Sequence, residues 1–220
     1  MDWTQAVDLY CERTDPGFWA EPINAITNAA FVVAGLFALR KAQAAHADIW
    51  IKVLCFWVIG IGIGSFLFHT FANRWSALAD VLPIWTFVAL YVVFTLRRIF
   101  TLSWPATGLA LAIGIAVTIA IMRVLPDGLR EYTNNATQYF PAVLAFVAFA
   151  AAFMWSNRPG TRLIITAGTV FAFSLFFRSI DLTVCAHLQL GTHFLWHLLN
   201  ATMLGLLLIL AIDHGRKQPL

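Results

Sequence analysis

Seven stretches of the chain, at about residues 23–39, 50–71, 78–96, 103–123, 139–155, 163–180 and 192–212, are predominantly apolar, and short polar runs separate them. A helix that crosses a bilayer needs roughly 20 mostly apolar residues. The pattern therefore predicts an all-α integral membrane protein, a bundle of seven transmembrane helices. It leaves residues 1–22 as an acidic amino-terminal segment, 23–212 as one membrane domain and 213–220 as a tail. The acidic segment lacks a basic start and does not read as a cleaved secretory signal.

Composition agrees: of 220 residues, 60% are hydrophobic and only 11% charged, too apolar for an ordinary water-soluble domain. Lys and Arg set the orientation. With the amino terminus outside, Arg40, Lys41, Lys52, Arg97, Arg98, Arg158, Arg162, Arg216 and Lys217 fall inside, against Arg13, Arg74, Arg123, Arg130 and Arg178 outside. The excess inside predicts an external amino terminus and a cytoplasmic carboxyl terminus. A net charge of +3 argues for no nucleic-acid partner, and no obligate protein partner is evident. Trp19, Trp50, Trp75, Trp104 and Trp155 fall near predicted span ends, where amphipathic rings anchor.

Polar residues inside spans are costly unless they have a partner or a task. The second span ends in "GIGIGSFLFHT", which puts Ser65 and His69 on one helical face. After a short outer connection the chain re-enters the membrane with Asp80, and the seventh span opens with "GTHFLWHLLN", carrying His193 and His197 one turn apart. Topology places His69, Asp80, His193 and His197 at similar depth in the outer half of the bilayer. Three neutral imidazoles with one open position form the ligand set of a catalytic zinc. The bland alternative is interhelical hydrogen bonding. For Ser65 that means close packing around Gly60 and Gly64. Arg178 and Asp181, three residues apart at the end of the sixth span, read as a structural ion pair.

The segments "DLYCE", "WAEPINAITN", "GSFLFHT" followed by Asp80, and "GTHFLWHLLN" resemble, in order and over essentially the whole chain, the alkaline ceramidases. These belong to a superfamily of seven-helix membrane hydrolases that also holds the adiponectin-receptor-like proteins. The resemblance implies a zinc ion held by His69, His193 and His197, with Ser65 and Asp80 beside it as catalytic groups. It implies cleavage of the N-acyl amide of ceramide or a related lipid, drawn from the bilayer, to a fatty acid and a long-chain amine. Asp80 is then a general base or an orienter of a zinc-bound group, and Ser65 a donor to the oxyanion.

Asp8, Glu12, Asp15 and Glu21 crowd acidic oxygens into the amino-terminal segment, and hard oxygen clusters suit calcium. The resemblance implies a calcium site there, with Glu12 and Glu21 as carboxylates and Tyr10 offering its backbone carbonyl. Asp8 and Asp15 are further candidates; the pattern departs from the family's at Leu9 and Thr14. Cys11 and Cys185 both fall on the predicted outer side, and the resemblance implies a disulfide between them. Compact size and short loops point to a bacterial inner-membrane protein with its site toward the periplasm.

Competing functions are tested by particular residues. A retinal protein needs a lysine deep in a span, and Lys41, Lys52 and Lys217 lie near the inner surface. A transporter predicts broken helices and coupled ion sites, of which little is seen. A lipid sensor or receptor of the adiponectin-receptor-like kind is the remaining alternative to an enzyme.

Overall fold

The computed structural model describes residues 2–215; Met1 and residues 216–220 lie outside the described residues, and with them Arg216 and Lys217 of the charge count. Helix accounts for 77% of the structure. The elements are α1 (Pro22–Thr27), α2 (Ala29–Ala44), α3 (Ile49–Phe71), α4 (Arg74–Phe94), α5 (Trp104–Val124), α6 (Asp127–Tyr132), α7 (Phe140–Trp155), α8 (Thr161–Val184) and α9 (His193–His214). A π-helical turn, Thr95–Ile99, prolongs α4, and a 3-10 turn, Ala136–Tyr139, leads into α7. Seven of the resulting helical segments are long and apolar enough to cross a membrane, with α1 and α2 together forming the first. The protein is a multi-pass integral membrane protein.

Several spans run past the apolar windows read from sequence, because caps and not hydropathy set helix ends. Asp48 accepts the backbone N–H groups of Trp50 and Ile51 and starts α3 at Ile49. Asn73 and Ser76 form a reciprocal capping box that starts α4 at Arg74. Asp80 consequently lies about two turns into α4, not at its head. The short helix α6 in the connection after α5 was not foreseen.

Helix α9 is the central element: 61% of its apolar window is buried, against 6% for α5 at the periphery. It packs on α2, α3 and α8, while α3 also packs on α2 and α4. The outward faces carry exposed Val33, Phe37, Leu109, Ile113, Val117 and Phe173, side chains suited to contact with lipid tails.

The closest approach of two helices is built from a glycine and a proline. Pro83 lies inside α4 and has no N–H to give the carbonyl four residues earlier, that of Ala79. That carbonyl is turned toward Gly64 of α3, where an added Cβ would collide with it. Trp57 of α3 donates to the Pro83 carbonyl at 3.1 Å, which fixes the same seam. Gly60 has open space around it, so the close contact belongs to Gly64 and not to a Gly60–Gly64 pair. The seam sets Ser65 of α3 beside Asp80 of α4.

The amino-terminal segment crosses the histidine end of the bundle as a strap. Val7 N–H donates to the Ala72 carbonyl at 2.8 Å, and Arg74 and Trp75 N–H groups donate to the Gln5 and Trp3 carbonyls, each at 3.1 Å. A disulfide joins Cys11 to Cys185, with Cα atoms 5.5 Å apart across a separation of 174 residues. Gly191, in the loop before α9, has φ +65°, and a Cβ there would strike the Asp181 carboxylate and Cys11; only glycine fits.

Gly64→Ala is expected to force α4 away from α3, because the obstacle is backbone that cannot rotate aside. Overpacking of this kind costs about 1–3 kcal/mol, readable as a lowered thermal midpoint of the purified protein. An unchanged midpoint would contradict the described seam.

Candidate metal centre

His69 is the third residue from the end of α3, while His193 opens α9 and His197 follows one turn later. Their rings converge, with centroids 5.2 Å apart for His69–His193, 4.7 Å for His69–His197 and 4.6 Å for His193–His197. Each residue is 1% exposed. One ring nitrogen from each lies within 4.8 Å of those of the other two, which makes this a group able to hold a metal ion.

Hydrogen bonds explain which nitrogens remain free. His69 Nδ1 meets Glu21 Oε2 at 2.6 Å, and an N–H there, donated to the carboxylate, leaves a lone pair on Nε2. His197 Nδ1 meets Thr27 Oγ1 at 2.9 Å. The Thr27 hydroxyl donates to backbone carbonyls of its own helical turn, Ile23 at 2.8 Å or Asn24 at 3.0 Å, so it accepts from the ring and His197 Nε2 is also left with a lone pair. His69 Nε2, His197 Nε2 and His193 Nδ1 are buried without a hydrogen-bond partner, and so is Asp80 Oδ1. An unsatisfied buried polar atom costs about 1–3 kcal/mol, and a shared cation answers such atoms together. The donor set, neutral imidazoles braced by a carboxylate and a hydroxyl, fits a divalent transition metal.

The remaining sequence candidates divide. Ser65 is buried and interacts with the Asp80 carboxylate, which also feels the charge of Arg178. The acidic cluster does not assemble: among the described residues the only group of metal-ligating side chains is the histidine triad. Glu12 accepts the N–H groups of Ile23 and Asn24 at 2.7 and 2.8 Å and so caps α1. Burial raises its carboxyl above the usual range, and those two N–H groups only partly offset it. Asp15 folds onto Gly17 N–H at 2.6 Å, and Asp8 is exposed. Calcium at Asp8, Tyr10, Glu12, Asp15 and Glu21 is without support from this arrangement.

Glu21 has a different task. It pairs with Arg13 Nε at 2.6 Å as well as with His69, and the Arg13–Glu21 pair is almost fully enclosed, with side chains 5% and 3% exposed. Burial works to raise the Glu21 carboxyl, but the hydrogen bond from His69, joined by the hydrogen bond and charge of Arg13, outweighs it and holds it below the usual carboxylate range. Asn24 Nδ2 adds a third donor at 3.2 Å, and Arg13 Nη2 reaches the His69 carbonyl at 3.1 Å. The Tyr10 ring stacks on His193 at 3.6 Å with an interplanar angle of 15°.

The Arg178–Asp181 ion pair is not formed. Asp181 Oδ1 accepts Thr192 and His193 N–H at 2.7 and 2.9 Å, and Oδ2 accepts Cys11 N–H at 3.1 Å. A carboxylate at the start of α9 is better satisfied by the free N–H groups there, and it holds the first metal-competent histidine in place. Arg178 turns instead to Tyr10, donating to its hydroxyl at 3.0 Å.

One turn along α9 from His193 begins an apolar pocket of about 100 Å³, with walls that include Phe31, Ile61, Tyr139, Trp196, Asn200 and Leu207; none of the three histidines lines it. Along α9 its lining runs for roughly 15–20 Å.

The fold and centre define a class: a seven-helix membrane protein with a buried, metal-competent histidine triad beside an apolar pocket. The family model described as Ceramidase matches residues 10–217. The chain belongs to the Ceramidase family, and that membership makes it a hydrolase of the lipid-amide class. No curated protein matches it significantly in sequence.

Glu21→Gln is expected to weaken metal affinity about 10- to 100-fold, the usual cost of removing a carboxylate that orients a ligand histidine, as read by chelator competition. Wild-type affinity in that variant would show that Glu21 does not orient His69.

Proposed function

We propose that this protein is a zinc-dependent lipid amidase that cleaves the N-acyl amide of ceramide or a related lipid to a fatty acid and a long-chain amine. The observation that carries this reading is the set of three buried, converging imidazoles, each with an unpartnered nitrogen, close to an apolar pocket.

His69, His193 and His197 would hold the ion. Zinc bound there supplies Lewis acidity and a water whose pKa is lowered toward about 7. The acyl chain lies in the cavity and sets its carbonyl at the triad, with solvent excluded by the strap and by Tyr10. Asp80 Oδ1, buried and unpaired, takes the proton of the attacking water and returns it to the amide nitrogen as the C–N bond breaks. Ser65 Oγ–H donates to the carbonyl oxygen as negative charge builds on it. Water is consumed, and the carboxylic acid and amine are released. The charge pattern of the loops supports a site facing the periplasmic side of a bacterial inner membrane.

Purified protein is expected to release fatty acid from an N-acyl sphingoid base, with release abolished by a chelator and in His193→Ala. Asp80→Asn should lose at least about 100-fold in kcat, the scale of general acid–base catalysis, while still binding metal. Metal binding with no turnover of any lipid amide would favour the sensor reading instead.

A further inference from the structure

One buried cation forms no ion pair among the described residues. Arg178 is 5% exposed, and among the described residues it makes no ion pair. Its guanidinium donates one hydrogen bond, to the Tyr10 hydroxyl, and its Nε is buried without a partner. Asp181 is spent on backbone N–H groups, and Asp80 is near enough to feel the charge yet forms no ion pair with it. Three aromatic rings surround the guanidinium carbon, Trp196 at 5.1 Å and Tyr10 and Tyr139 at 5.5 Å each. They offer π faces, which lessen but do not replace a counter-charge. A buried, unpaired charge in a membrane marks a functional group by default.

Its place says what it could serve. Tyr139 and Trp196 also line the apolar cavity, while Tyr10 stacks on His193. Arg178 does not itself line that cavity; it stands behind its Tyr139 and Trp196 walls, at the end nearer His193.

We propose that Arg178 is an anion-recognition subsite, selecting amphiphiles that present a carboxylate at the metal end of the cavity. This rests on the lipid-amidase reading and narrows it. A guanidinium pairs with carboxylates through paired N–H donors, and in this water-poor setting the attraction is stronger than at a surface. A wholly neutral substrate without an acceptor there leaves the Arg178 Nε donor unanswered. The carboxylate has two sources: the head group of an N-acyl amino-acid lipid, or the fatty acid that the reaction releases.

The test uses the purified full-length protein, with metal content and thermal midpoint checked for each variant. Hydrolysis of N-palmitoylglycine is compared with that of N-palmitoylethanolamine, which carries the same acyl chain without the charge, and inhibition by palmitate is measured alongside. If Arg178 reads the head group, Arg178→Met lowers the acidic-to-neutral ratio of kcat/KM at least about tenfold, as expected for losing a hydrogen bond to a charged group, and Arg178→Lys retains part of it. If it reads the product, the ratio holds and the inhibition constant of palmitate weakens by a similar factor. A stable, metal-loaded Arg178→Met with both quantities within about twofold of wild type would overturn the proposal. Should that variant not fold, Arg178→Lys is judged on the same two quantities, and no change in either overturns it. Should neither amide be cleaved, displacement of a fluorescent fatty acid by palmitate and by hexadecanol still decides: an Arg178-dependent preference for palmitate upholds carboxylate recognition while the amidase reading fails, and equal displacement rejects it.

Discussion

Three neutral imidazoles packed into the low-dielectric end of a helix bundle, each with a ring nitrogen that meets no donor, are the constraint around which this molecule is organised. Left alone, each costs about 1–3 kcal/mol, a large share of the marginal stability of any fold. Hydrogen bonds to Glu21 and Thr27 turn the lone pairs of His69 and His197 away from those partners and toward the common centre. A metal ion held there would convert the set from a liability into a clamp that ties α3 to α9. On the proposed reading, hydrolase chemistry and the fold's cohesion would meet in the same three residues.

The supporting elements can be understood as ways of holding that geometry within a membrane. Asp181 gathers the start of α9 and the strap through three backbone N–H groups, and the Cys11–Cys185 disulfide fastens the same corner covalently. Arg13 reaches from the strap to Glu21 and to the His69 carbonyl, a buried pair whose disruption would leave an uncompensated charge. On the other side, Gly64 and the carbonyl released by Pro83 bring Ser65 and Asp80 into register. The strap is thereby part of the centre, though it lies outside every membrane-spanning segment.

Much of the architecture was legible in one dimension. Seven spans follow from hydropathy alone, the common depth of His69, His193, His197 and Asp80 follows from topology, and the i, i+4 spacing puts Ser65 on the face of His69. What sequence could not show is where the strap travels. Glu21 is 48 residues from His69 and Thr27 is 170 from His197, so no local spacing announces either bond, and acidic composition together with the family resemblance pointed Glu21 toward calcium. Spacing misled for Arg178 and Asp181 as well. An i, i+3 pair of opposite charges looks self-sufficient, but the unsatisfied N–H groups at the start of α9, invisible in a charge pattern, are the stronger claim on the carboxylate.

The central claim, that these imidazoles share one transition metal, is tested most directly by elemental analysis of the purified protein combined with X-ray absorption at the metal edge. The expected result is about one zinc per chain, with three imidazole nitrogens at roughly 2.0–2.1 Å. A protein that is folded and yet holds no stoichiometric transition metal, or an ion whose shell contains no imidazole, would contradict the account.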